Sequence, residues 1–75
     1  MNLKVFKHQN PFIFMATAKE KFLKAYANTP PPLRTEIIVI IDGKTYSWDA
    51  AFFEVKNDSS LSRKILNMLS AMQII

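Results

Sequence analysis

The sequence predicts a small α+β domain in which an antiparallel β-hairpin is packed by two amphipathic helices, in the order β-α-β-β-α. Three observations carry that prediction. The β-branched run Ile37-Ile38-Val39-Ile40-Ile41 is followed at once by Asp42-Gly43 and a returning segment that begins at Lys44. Apolar residues recur at helical spacing over 14–27 and again over 60–73. A chain of 75 residues, 49% hydrophobic and 21% charged, has room for one domain spanning 1–75 and no more.

Asn2-Leu3-Lys4-Val5-Phe6 alternates apolar and polar residues, as a short edge strand does. Asn10-Pro11 marks a turn or the start of a helix, and the helix is expected over 14–27. At about 100° per residue, Met15, Ala18, Phe22, Leu23, Ala25 and Tyr26 share one face, with Thr17, Glu20, Lys21 and Lys24 opposite. Lys19 falls inside the apolar arc, so its stem must run past its neighbours before the amine meets water. The prolines of Asn28-Thr29-Pro30-Pro31-Pro32 lack an amide hydrogen and push their predecessors out of the α region. They end the helix, and 28–34 is a Pro-rich linker inside the domain.

The hairpin is expected at about 35–41 and 44–50, with its second strand running on as far as 55. Asp42-Gly43 supplies the two positive-φ residues of a type I′ turn. A two-residue turn pairs Ile41 with Lys44, Ile40 with Thr45, Val39 with Tyr46, Ile38 with Ser47 and Ile37 with Trp48. Alternation then gathers Ile37, Val39, Ile41, Tyr46 and Trp48 on a core face, and Ile38, Ile40, Thr45 and Ser47 on the other. Ile38 and Ile40 are either covered by a helix or exposed to a partner. Asp49-Ala50-Ala51-Phe52-Phe53-Glu54-Val55 is apolar on both faces of a strand and all round a helix. We favour a continued strand, with 51–55 pairing with Leu3 to Phe6 as the third strand of the sheet. Asn57-Asp58-Ser59-Ser60 is rich in N-cap residues, and the best helix of the chain follows. There Leu61, Ile65, Leu66, Met68, Leu69 and Met72 form the apolar face, while Ser60, Arg63, Lys64, Asn67 and Ser70 lie opposite. Ile74 and Ile75 continue apolar beyond it.

Composition removes several chemistries. With no cysteine and His8 as the sole imidazole, neither a disulfide nor a structural zinc site can be built, and no cofactor is expected. Gly43 alone cannot make a phosphate-cradling loop. No purely apolar stretch exceeds that of Ile37–Ile41, far short of the roughly 20 residues that cross a bilayer. Lys4, Lys7, Phe12-Ile13-Phe14-Met15 and Ala16-Thr17-Ala18 imitate a signal peptide, but Pro11 and the short apolar stretch spoil the likeness. A cytoplasmic location is expected, where the Asn57-Asp58-Ser59 sequon carries no meaning.

Catalysis finds little support. His8 lies in the polar run Lys7-His8-Gln9-Asn10, with no elbow or glycine-rich turn around any serine. The hairpin register sets Glu36 against Asp49, where like charges repel and a solvated strand end is the simpler outcome. The chain is therefore expected to be no enzyme. Residues 1–34 hold six basic residues, Lys4, Lys7, Lys19, Lys21, Lys24 and Arg34, against the single acid Glu20. With Phe6, Phe12 and Tyr26 interleaved, they could form a surface that holds phosphates and stacks bases. The order of elements invites comparison with small RNA-binding modules. Yet neither the G-x-x-G loop of a KH-type domain nor the fourth strand and aromatic signature of an RNA-recognition motif is present. Pro30-Pro31-Pro32-Leu33-Arg34 looks like a polyproline ligand, but Thr29 stands where the first proline belongs, so a stiff linker is the better role.

The remaining signal is unpartnered apolar surface. Ile38 and Ile40 on the second sheet face, and Met68, Met72, Ile74 and Ile75 at the end of the last helix, exceed what two helices can cover. Small domains without a disulfide or metal commonly lean on a partner. The expectation is a non-catalytic protein-interaction module, a homodimer in its simplest form; the alternative is a small nucleic-acid-binding protein using the basic N-terminal region.

Overall fold

The computed structural model describes residues 11–75, and the element order is that of a mixed α+β domain. Helix α1 spans Pro11–Ala27, a single 3-10 turn occupies Pro31–Leu33, and strands β1 (Ile37–Ile41) and β2 (Lys44–Ser47) form the hairpin. Two further helices follow, α2 (Trp48–Lys56) and α3 (Ser60–Ala71). The expected strand over residues 2–6 lies outside the described residues.

Pro11 stands at the first position of α1, where a missing amide hydrogen costs nothing. Its inner face buries Ala18 and Phe22, with Leu23 and Tyr26 packed partly against the core. The chain then leaves the helix under the control of its own polar groups. Thr29 Oγ1 donates to the Ala25 carbonyl at 2.8 Å, and Arg34 Nε donates to the Thr29 carbonyl at 3.0 Å. The proline linker is thus tied back onto the helix that it ends.

The hairpin turn is as the sequence predicts, with Asp42 at φ 52° and Gly43 at φ 79°. Ile41 pairs with Lys44, Ile40 with Thr45 and Val39 with Tyr46. Beyond Val39 the register slips, and Ile37 rather than Ile38 pairs with Ser47. This bulge reverses the alternation below it. Ile37, expected in the core, is 54% exposed, while Ile38 is half-buried against the core.

The second correction concerns residues 48–55, which are helix and not strand. Ser47 is the last residue of β2 and also the N-cap of α2, its Oγ accepting the Ala50 amide at 3.1 Å. Asp49 sits in the first turn, where a negative charge suits the helix dipole, and Lys56 in the last. Ala51 and Val55, one turn apart, are fully buried. Trp48, expected opposite Ile37, instead stacks on Phe22 with ring centres 5.8 Å apart.

Helices α2 and α3 end alike. Ser59 donates to the Glu54 carbonyl and Asp58 to that of Val55, with Asp58 left-handed at φ 50°. After α3, Ile74 donates to Leu69 and Gln73 to Ser70, with Gln73 at φ 59°. Both are Schellman endings built without glycine. The second one turns the chain so that Ile75 packs against the core.

The core is a single cluster: Ala18 and Phe22 from α1, Val39, Ile41 and Tyr46 from the hairpin, Ala51 and Val55 from α2, and Ile65, Leu66 and Leu69 from α3. Each large side chain fully removed from water contributes about 1.5–3 kcal/mol. Helices contribute to the inner face of the hairpin, whereas Ile40 and Thr45 on its outer face stay exposed among the described residues. A helix on each side of the sheet, one of the two arrangements open to the sequence, is not what forms.

Candidate protein interface between β1 and α3

The exposed apolar residues are unevenly distributed. Ile40 (58% exposed) projects from β1, and Met68 (40%) from the adjoining face of α3. Together with Ile41, Asp42, Lys64 and Asn67 they line a shallow groove of about 350 Å³. No residue of β2 lines it, so it opens on the side of β1 away from its partner strand. Lys64 Nζ meets Asp42 Oδ2 at 3.1 Å across the rim, with both side chains mostly in water. Lys64, Met68 and Met72 recur every fourth residue, so they form one stripe along α3. Met72 is exposed at its end, as is Ile74 just beyond.

Of the six residues expected at an interface, Ile40 and Met68 thus line one groove, and Met72 and Ile74 extend the exposed surface past the helix end. Ile38 and Ile75 are half-buried against the core. Three exposed residues had escaped notice: Ile37, Leu33 and Phe53. Phe53 follows Phe52, which stacks on Tyr26, and lies about 100° further round α2 on its exposed side.

The basic residues are placed differently. Lys4 and Lys7 lie outside the described residues, as do His8, Phe6 and the side chain of Phe12. Lys19 Nζ reaches Asp58 Oδ1 at 2.9 Å, which satisfies a lysine set within an apolar arc. Lys21 and Lys24 are exposed. The Arg34 guanidinium lies 4.3 Å from the centre of the Tyr26 ring and also donates to the Tyr26 carbonyl at 3.2 Å. The Phe52 ring is stacked on Tyr26 at 4.1 Å, nearly parallel at 8°. Two flat groups this close to one ring centre overlap unless they take opposite faces. Tyr26 therefore offers no open face to a base.

The two carboxylates that the expected register set together, Glu36 and Asp49, are not paired, because the strand ends at Ser47 and the register slips before it. Asp49 accepts the Tyr26 hydroxyl at 2.6 Å, and exposed Glu36 holds the Trp48 amide through its main-chain carbonyl. The Asp49 bond, followed by burial and the Asp49 charge, raises the Tyr26 hydroxyl above its ordinary value of 10.0; Arg34 opposes the shift. No cluster of three metal-ligating side chains exists among the described residues. Likewise, no helix among them is long and apolar enough to cross a membrane.

A larger cavity, about 650 Å³, opens at the start of α3 between Ala16, Lys19, Asp58 and Arg63. Its lysine is already matched by Asp58 at the rim. Ser59 also lines it, its Oγ buried and unpartnered among the described residues. Comparison with family models, with curated proteins and with solved structures finds nothing that matches this chain.

Proposed function

We propose that the chain is a small non-catalytic protein-interaction module whose contact surface is formed by β1 and α3. The observation that carries this is the groove at which Ile40 and Met68 meet, continued by exposed Met72. Methionine adapts its shape to irregular partners, and an apolar groove with a charged rim is the usual anatomy of a recognition surface. The domain also lacks any disulfide to reinforce its core.

The test is the solution mass of the full chain over a wide concentration range, at low and high salt. An assembly that persists in high salt and shrinks on Met72→Asp or Met68→Lys, with the fold intact by circular dichroism, supports the proposal. A chain that stays single throughout, or an assembly indifferent to both substitutions, overturns it. A second reading rests on exposed Lys21 and Lys24 of α1: binding of nucleic acid, with an affinity that falls steeply with salt and on Lys21→Glu and Lys24→Glu.

A further inference from the structure

We propose that the partner at this surface is a second copy of the chain, and that the two copies join β1 to β1 in antiparallel fashion to make a four-stranded sheet. Ile40 pairs with Thr45 between the flanking pairs Val39/Tyr46 and Ile41/Lys44. In a hairpin closed by a two-residue turn, the pair next to the turn is hydrogen-bonded and the following one is not. The amide and carbonyl of Ile40 therefore point away from β2, into the groove beside α3. Among the described residues, none of the main-chain hydrogen bonds outside the hairpin ladder and the helices involves Ile40. The Val39–Ile41 part of the edge carries no lysine, proline or inward charge, and the bulge at Ile38, which also guards an edge, confines the outward pairing groups to Ile40.

A two-fold axis beside Ile40 fits both chemistry and charge. It brings the Ile40 amide of each copy to the Ile40 carbonyl of the other, and it sets the two exposed Ile40 side chains against each other on the outer face. On the inner face the same register places Val39 of one copy next to Ile41 of the other, apolar against apolar. Asp42 and Lys64 balance each other at the rim of each groove, so two copies meet here without an excess of either sign. Such a contact is isologous and closes at two copies, leaving no further β1 edge to propagate.

This proposal rests on the interaction surface described above, and its test separates the two. Ile40→Pro removes the outward amide without removing a hairpin bond. The full chain should sediment at twice the mass of one chain, and Ile40→Pro should return it to a single mass. Should the proline variant fail to fold, the wild-type chain still decides. In a mixture of isotope-labelled and unlabelled copies, intermolecular proton contacts between β1 and β1 are expected, together with slow exchange of the Ile40 amide that weakens on dilution. Assembly that survives Ile40→Pro but is lost on Met72→Asp would sink the strand pairing and leave the interaction surface standing. A single mass at every concentration would sink both. A monomer whose Ile40 amide is nonetheless protected would show the edge occupied from within the same chain, and would also end the proposal.

Discussion

The two sides of this domain treat their apolar and charged residues in opposite ways. On the α1/α2 side, Arg34, Tyr26, Phe52 and Lys56 follow one another in a stack, with spacings of 4.3, 4.1 and 5.8 Å. The Tyr26 hydroxyl is spoken for by Asp49 and the Arg34 donors by main-chain carbonyls. On the β1/α3 side, Ile40, Met68 and Met72 stand open beside a strand edge. From the sequence, Arg34 and Tyr26 of the first side are candidates for a nucleic-acid surface, and Ile40, Met68 and Met72 of the second are candidates for a protein interface. The difference teaches that cations and aromatics make a binding face only where the fold leaves them unmatched, and here the fold matches them.

If the α1/α2 side is structural and the β1/α3 side is recognition, substitutions should divide accordingly. The largest effect is expected from Phe22→Ala, whose fully buried ring supports both Tyr26 and Trp48; a loss of about 3–5 kcal/mol in urea denaturation is expected. Arg34→Ala removes a ring contact and two hydrogen bonds, with an expected loss of about 1–2 kcal/mol by the same measurement. An Arg34→Ala chain as stable as wild type would break the comparison at its structural end.

Gln73→Gly places the residue that favours φ > 0 at the end of α3 and should raise stability by about 1 kcal/mol. Tyr26→Phe bears on pH. The folded state holds the Tyr26 proton more tightly than the unfolded chain does, so the resulting stability is complete below pH 10.0 and is lost as pH climbs through the raised folded value. Thermal melts above pH 10.0 should therefore destabilise wild type more than Tyr26→Phe. The smallest effect on stability, within about 0.5 kcal/mol, is expected from Met68→Lys, where assembly and not folding is the readout. A large loss of stability there would place Met68 in the structure and not at an interface.

Much of this fold was legible in the chain. The hairpin turn and the register as far as Val39 follow from Asp42-Gly43, and the inner faces of α1 and α3 follow from apolar spacing. The bulge at Ile38 was not legible, because five successive β-branched residues carry no mark of where alternation breaks. Nor was α2, since Ala50-Ala51-Phe52-Phe53 suits either period. The missed signal was Ser47-Trp48-Asp49, an N-cap followed by an acid in the first turn. Of the candidate site, exposure of Ile40 and Met68 was foreseeable from the shortage of covering helices. Their meeting at one groove depends on how α3 crosses the hairpin, which no local pattern encodes.

Ser47 closes the ladder and caps the next helix, so no loop separates β2 from α2. A joint without slack transmits motion. Lifting the hairpin off the core pulls the Ser47 oxygen from the Ala50 amide and loosens the turn that holds Asp49, and with it the grip on Tyr26. The strand edge and the distant aromatic stack are therefore expected to open together in hydrogen exchange, and a ligand that steadies the first should also slow exchange in the second.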